Sequence, residues 1–236
     1  MLETFIETRN YSKLSEAFAR LANLPVTAPK MGLGYGNFGL GKTFALERIA
    51  ANTHAILLRA VQTWSKKSFL EKLCLELSLD VSGGASRMYE RIVDELLQNR
   101  RILIIDEIDA LLRSQKFEVL ELLRDIHDET NIVLFLIGME EANAKLKKHR
   151  HFYSRIVEFV EFKPIVLDDV KRFCELSDKI KIEDDLCDYF AKKYPNLRQI
   201  RVLLIRLENA AKRNNLTACN LKTFTSLRIE EEGKAI

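Results

Sequence analysis

Gly36-Asn37-Phe38-Gly39-Leu40-Gly41-Lys42-Thr43 decides how this 236-residue chain is read. Before it, Met31-Gly32-Leu33-Gly34-Tyr35 reads as a short buried strand; after it, Phe44-Ala45-Leu46-Glu47-Arg48-Ile49-Ala50 has the apolar spacing of a helix. Strand, GxxxxGK[ST] and helix in that order are the full context of a phosphate-binding loop. A loop that wraps phosphates needs positive φ and close backbone approach, which glycine permits. Its N–H groups then converge at the positive end of the following helix. The pattern predicts that Gly36, Asn37, Phe38, Gly39, Leu40, Gly41, Lys42 and Thr43 cradle ATP. Lys42 would reach the β- and γ-phosphates, and the Thr43 hydroxyl would hold Mg²⁺. A glycine-rich turn that happens to precede a lysine would satisfy the bare pattern, but not its flanks.

A second stretch completes the first. Ile102-Leu103-Ile104-Ile105 is an apolar strand ending in Asp106-Glu107, the Walker B arrangement. Asp106 would hold Mg²⁺ through its water shell, and Glu107 would orient and deprotonate the attacking water. Many strands end in solvent-facing acids, so this one alone says little. Following a phosphate loop at this order and spacing, it says much more.

The remaining elements fit around these two. Further strands are expected over 55–60, 132–137 and 156–162. Helices are expected over 14–22, 68–77, 86–98 (N-capped by Ser86) and 116–128, with a short basic one before the fifth strand. Uninterrupted apolar strands alternating with helices indicate a parallel sheet covered on both faces. After Pro164 only helices are expected, over 168–177, 183–193, 197–213 and 221–230. The expected architecture is therefore α/β. A P-loop core with a five-stranded parallel sheet between helices spans 1–164, including a short N-terminal helical extension over 1–30. A small all-helical lid follows over 165–236.

Composition sets the outer bounds. A hydrophobic content of 47% and a charged content of 30% describe a globular protein with a real core. No apolar run is long enough for a membrane span, and the N-terminus lacks the pattern of a signal peptide, so a cytoplasmic location is expected. Cys74, Cys174, Cys187 and Cys219 are scattered without a CxxC pair, which fits buried thiols in a reducing compartment. His149 and His151 flank Arg150 without metal-ligand partners. A net charge of +3 is too mild to announce a nucleic-acid partner, so any such surface must be local.

With both nucleotide motifs in view, the chain resembles the AAA+ ATPases. A glutamate directly after the Walker B aspartate fits the AAA+ and ABC divisions. Val81-Ser82-Gly83-Gly84 imitates the ABC signature, but the intervening segment is too short and Ala85 stands where that signature needs glutamine. Tyr153-Ser154-Arg155-Ile156 resembles the box VII element of initiator-type AAA+ proteins. The resemblance implies that Arg155 acts in trans as an arginine finger on a neighbouring subunit's ATP, with Arg150 in reserve. Pro195-Asn196-Leu197-Arg198 resembles the sensor 2 pattern, which implies that Arg198 contacts the γ-phosphate from the lid. One departure stands out. Gly138-Met139-Glu140 occupies the place where the family carries a polar sensor 1 residue, so either that role is missing or a neighbouring residue has taken it, and the resemblance implies slow or partner-dependent hydrolysis.

Within that class the chain is similar to the transposition ATPases of the phage Mu B, TnsC and TniB type. Leu122 through Met139 and Ala60-Val61-Gln62-Thr63-Trp64 carry the likeness. It implies ATP-dependent homo-oligomers, filament or ring, on duplex DNA of any sequence, and a transposase partner. Only residues 1–30 precede the loop unit, too few for the N-terminal helix-turn-helix of the Mu protein. DNA contacts are then expected from Lys66 and Lys67 in the loop after the second strand, with Lys145, Lys147, Lys148 and Arg150 as a second cluster. Clusters this small are usually solvated faces. Another initiator-type ATPase such as a helicase loader, or a nucleotide-dependent protein switch that does not bind DNA, is the alternative.

Overall fold

The computed structural model describes residues 5–113, 117–194 and 196–230. The chain forms two compact units. The core unit comprises Lys13–Asn37 and Lys42–Phe162; the C-terminal unit gathers the chain from Lys163 onward, Phe38–Gly41 and the residues up to Ser12.

In chain order the elements up to Phe162 are α1 (Arg9–Asn23), β1 (Met31–Tyr35), α2 (Lys42–Thr53), β2 (Ile56–Arg59), α3 (Lys66–Glu76), α4 (Ala85–Gln98), β3 (Leu103–Asp106), α5 (Asp109–Arg113), α6 (Phe117–Thr130), β4 (Leu134–Gly138), α7 (Ala142–Leu146), α8 (Arg150–Tyr153) and β5 (Ile156–Glu161). The strands form one five-stranded sheet in the order β2-β3-β4-β1-β5, and every pairing is parallel. Every residue of β3 and β4 is buried, so the middle of the sheet is covered on both faces. At the edge, β5 alternates: Ile156 and Val160 are buried while Val157 and Phe159 face outward. Aromatic packing fastens α1 to the sheet, where Phe18 stacks on Phe135 with ring centroids 4.3 Å apart. Because the strands are parallel, the loop after β1 and the acids at the end of β3 leave the same edge of the sheet. That edge is where open α/β sheets bind their ligands.

The C-terminal unit contains α9 (Leu167–Cys174), β6 (Lys181–Ile182), α10 (Asp184–Lys193), α11 (Leu197–Asn214), β7 (Ala218–Cys219) and α12 (Leu221–Ser226). It has its own apolar core, with Val170, Leu186, Phe190, Ile200, Leu204, Leu207 and Phe224 almost fully buried. The expected all-helical lid is corrected in one respect. Lys181–Ile182 pairs in parallel with Ala218–Cys219, a two-residue ladder too short to leave a strand pattern in the sequence.

Local chemistry moves several helix ends. Helix α1 begins at Arg9, ahead of the expected Leu14, because the Thr8 hydroxyl accepts from Tyr11 N–H at 3.3 Å and caps the first turn. Helix α4 is led by Gly84 and begins at Ala85, so the Ser86 cap is not used. The short basic helix before β5 is two short helices, α7 and α8. Helix α12 stops at Ser226, short of the expected Glu230, and Arg228 adopts a left-handed φ of 51°. The expected start of α6 at Lys116 lies outside the described residues, as do Pro195 and the last residues from Glu231. No helix among the described residues is long and apolar enough to cross a membrane.

A buried histidine makes the core sensitive to acid. His127, at the end of α6, accepts from Lys30 N–H at Nε2 (3.4 Å), which leaves Nδ1 to donate to the Ile132 carbonyl (2.9 Å). Burial pushes its pKa below the usual histidine value, with nearby Arg155 adding to the effect; the Ile132 hydrogen bond and Asp128 pull the other way. The folded chain thus binds its proton less readily than the unfolded chain. The stability this contributes is present above about pH 6.5, the unfolded value, and is lost as pH falls through the folded one. Urea unfolding at pH 7.5 and pH 5.5 should show wild type losing more stability than His127→Gln. At pH 7.5 the variant should be weaker by about 1–3 kcal/mol for its broken hydrogen bonds. An equal pH response in both proteins would remove His127 as the source.

Candidate nucleotide site

The phosphate-loop residues are divided between the two units: Gly36, Asn37, Lys42 and Thr43 count with the core, and Phe38–Gly41 with the C-terminal unit. In the core, Lys42 opens α2, and its ammonium donates to the carbonyls of Gly36 and Asn37, each at 2.7 Å. The lysine is thus curled over its own loop, with its charge on backbone oxygens. The Thr43 hydroxyl donates to Asp106 Oδ2 at 3.0 Å. Gly39 and Gly41 have φ of 77° and 84°, a region that side chains with a Cβ enter only at a cost, so the glycine pattern here has a backbone cause.

Asp106 ends β3 and is buried. Its second oxygen, Oδ1, accepts from the Glu107 N–H at 2.8 Å, so both carboxylate oxygens are held. Glu107 itself has a φ of 56°, an unusual conformation for a residue with a side chain. Strain of this kind costs about 1–3 kcal/mol and persists where the surrounding structure over-determines it. Here the surroundings are clear: Ala60 N–H donates to the Asp106 carbonyl (2.8 Å), and Ile108 N–H to the Ile137 carbonyl (3.0 Å). The half-exposed Glu107 carboxylate lies 3.6 Å from the guanidinium of Arg59.

Two residues at this edge carry no motif and escaped the sequence reading. Arg59 ends β2 opposite Asp106 in the β2–β3 register, so pairing alone brings it to Glu107. Asp109 opens α5 and is buried; its Oδ2 accepts from Met139 N–H, while Oδ1 has no partner among the described residues. This aspartate also crowds the end of β4. A Cβ at Gly138 would come within 2.6 Å of the Ala142 side chain and 3.0 Å of Asp109 Oδ2, so the end of β4 has no room for a larger residue. The DxxD spacing of Asp106 and Asp109 was the signal available in the sequence.

In the C-terminal unit, Asn196 caps α11 by accepting from Gln199 N–H at 3.0 Å, and Leu197 N–H donates to the Gly39 carbonyl at 3.0 Å. Arg198, the sensor 2 candidate, is exposed on the first turn of that helix. Arg155, the finger candidate, follows α8 in the core. Its guanidinium is engaged within the chain, to Asp128 Oδ2 at 3.0 Å and the His151 carbonyl at 2.9 Å.

The DNA candidates sit on a formed helix end. Ser65 and Ser68 make a reciprocal capping box, and Trp64 is buried and packs near Phe69 (ring centroids 5.3 Å apart), so α3 begins at Lys66. Lys66 and Lys67 are both exposed, and Lys67 lies 3.6 Å from Glu71. In the second cluster Lys147, Lys148 and Arg150 are exposed, and the neighbouring His149 ring stacks on Phe117 at 3.5 Å. No group of metal-ligating His, Cys, Asp and Glu residues occurs among the described residues.

The chain is similar in sequence or fold to several known proteins. A potential ATP-binding protein of Staphylococcus aureus is 25% identical over 225 residues, covering 80% of each chain. Among solved structures, the Aeropyrum pernix ORC2 protein in ADPNP–ADP complexes superposes with a TM-score of 0.72 at 17% identity, covering 100% of this chain and 72% of that one. The Aeropyrum pernix ORC1 protein in complex with DNA gives a TM-score of 0.59 at 18% identity, covering 96% of this chain and 66% of that one. The family model described as AAA domain matches residues 27–146, just over half of the chain and the span that holds both nucleotide motifs. The chain belongs to the AAA domain family, with the fold of a nucleotide-binding AAA+ ATPase.

Proposed function

We propose that this chain binds ATP with Mg²⁺, hydrolyses it, and assembles in its ATP-bound form on duplex DNA as a transposition accessory protein. The observation that carries the nucleotide half is the Thr43 hydroxyl on the buried Asp106 carboxylate, with Glu107 beside it. Hydroxyl and carboxylate are hard oxygen donors of the kind Mg²⁺ takes beside phosphate oxygens and water. When bound there, the ion would neutralise charge developing on the phosphates. Lys42 would exchange the carbonyls of Gly36 and Asn37 for phosphate oxygens. Glu107 would leave Arg59 and accept the proton of the attacking water. Arg155 would serve a neighbouring subunit in trans, and Arg198 would serve as the sensor 2 cation. In this reading 1–164 is the ATPase core and 165–236 the lid.

The DNA half rests on the resemblance to Mu B, TnsC and TniB, with a transposase as the expected partner. The Aeropyrum pernix ORC1 structure, solved in complex with DNA, supports DNA as a ligand of this fold. The likeness to ORC proteins also favours a second reading, another initiator-type ATPase such as a helicase loader.

Binding to random duplex DNA, measured with ATP, with ADP and without nucleotide across a salt series, tests the proposal. Tight, sequence-independent binding with ATP alone, and growth into large assemblies, is expected. Lys66→Ala/Lys67→Ala should weaken binding on all sequences alike and reduce the log–log salt slope by about 1 for each lost phosphate contact. ATP binding without DNA binding in any state would leave the nucleotide half standing and end the DNA half.

A further inference from the structure

Helix α11, 18 residues long, carries Arg198, Arg201, Arg206, Lys212 and Arg213 and a single acid, Glu208. Glu208 is buried, and its carboxylate accepts from the Ser177 hydroxyl at 2.9 Å, so no acid of this helix faces outward. Arg198 is already assigned to the nucleotide. The other four cations share one face with Asn209: Arg201, Asn209, Lys212 and Arg213 are exposed, and Arg206 is half-buried. Two lysines elsewhere in this unit are ion-paired, Lys171 with Asp184 at 2.9 Å and Lys193 with Glu230 at 2.6 Å. Arg201, Arg206 and Lys212 make no ion pair and no side-chain hydrogen bond among the described residues. Basic residues in the last turn of a helix complement its dipole, which accounts for Lys212 and Arg213. Arg201 and Arg206 lie too far from that end. Among the described residues, Arg206, Asn209, Lys212 and Arg213 line a groove of about 600 Å³, with neither an acid nor an apolar side chain in its wall.

We propose that this face of α11 is a second binding surface for duplex DNA, one that holds backbone phosphates without reading sequence. The inference rests on the DNA half of the proposed function, and it adds a surface in the C-terminal unit to Lys66 and Lys67 in the core. Guanidinium, ammonium and the Asn209 amide are rich in N–H donors, and phosphate oxygens are strong acceptors. Along the helix axis Arg201 and Arg206 are about 7.5 Å apart, and Arg206 and Lys212 about 9 Å apart. A duplex carries one charge per about 1.7 Å of its axis, so each of these cations meets a phosphate when the helix lies along the backbone. Val202 and Ile205 are also exposed, between Arg201 and Arg206, and would suit an acidic protein segment with apolar anchors. The groove beyond them favours DNA. It offers an apolar anchor nothing to bury against, whereas cations clustered along a helix with no acid among them are the electrostatic footprint of a nucleic-acid partner. Phosphate contacts of this kind fix orientation on the duplex and carry no sequence information.

The test measures binding of the full chain to a short random-sequence duplex by fluorescence anisotropy, with ATP and Mg²⁺, across a potassium chloride series. Arg206→Ala/Lys212→Ala/Arg213→Ala should weaken binding on all sequences alike, by roughly tenfold or more, and lower the log–log salt slope by about 0.9 for each lost phosphate contact. Arg206→Lys/Arg213→Lys keeps the charge and should keep most of the slope. Turnover without DNA should not change, since none of these residues is assigned to the nucleotide. In the wild type, DNA should protect Lys212 from acetylation beyond any protection given by ATP alone, a readout that needs no variant to fold. A triple variant with wild-type affinity and slope, or a Lys212 that stays reactive in the saturated complex, would overturn the inference and leave this face to an acidic protein segment. Smaller particles of the triple variant with ATP, before DNA is added, would assign the face to a second copy of the chain and overturn it equally. In those cases weakened binding by Lys66→Ala/Lys67→Ala keeps the DNA reading standing. A wild type that binds no DNA in any nucleotide state ends that reading and this inference together.

Discussion

Glu107→Gln is expected to leave ATP binding intact and to reduce turnover by about 10²–10⁴-fold, the range a positioned general base contributes. The substitution keeps the size and shape of the side chain and removes only its charge and basicity. Asp106 keeps both of its hydrogen bonds, since one comes from Thr43 and the other from the backbone N–H of residue 107, which glutamine retains. Thr43 and Lys42, the groups assigned to metal and phosphate, are untouched. The half-exposed ion pair with Arg59 is lost, but exposed pairs contribute little to stability, so the fold should not suffer. Equilibrium binding of a fluorescent ATP analogue and steady-state phosphate release, measured on the same preparation, separate the two effects. If the proposal holds, the variant also traps the ATP-bound assembly on DNA. Normal turnover would remove Glu107 from the role of base, and a parallel loss of binding would mean that its charge matters to the ground state.

The backbone at Glu107 shows why part of this site could be read from sequence and part could not. Local patterns carry local information: the glycine spacing of 36–41, the lysine and hydroxyl after it, and four apolar residues before two acids each state a constraint within a few residues. The structure holds Thr43 against Asp106, a contact those two patterns imply only jointly. Arg59 and Asp109 depend on strand register and on the packing of β3 beside β4, which no short window encodes. The same holds for Gly138, where the sequence shows only a glycine and packing shows that Asp109 and Ala142 leave no room for a side chain. Helix ends moved for the opposite reason, since the Thr8 cap and the left-handed Arg228 are local events that compete with apolar periodicity. The β6–β7 ladder joins residues far apart in sequence through two residues on each side, below the threshold of any alternation pattern.

Arg155→Ala is expected to cost on the order of 10³-fold in hydrolysis while leaving the nucleotide affinity of isolated subunits nearly unchanged, as removal of an arginine finger does. In the single chain, this guanidinium is bound to Asp128 and the His151 carbonyl, so any trans role requires it to leave the aspartate when a neighbour's phosphates arrive. Asp128→Asn removes the competing charge and should preserve or raise the assembled activity, whereas an arginine that only braces α6 would make both substitutions harmful alike. Mixing variants isolates the trans geometry. Arg155→Ala subunits keep Glu107 but offer no finger; Glu107→Gln subunits keep the finger but have no base. Where the two meet in one assembly, the finger of a Glu107→Gln subunit completes the site of an Arg155→Ala subunit. The mixture should then turn over faster than either variant alone. Activity no greater than the sum of the two, in assemblies shown to contain both, would assign Arg155 to its own subunit and to the Asp128 contact.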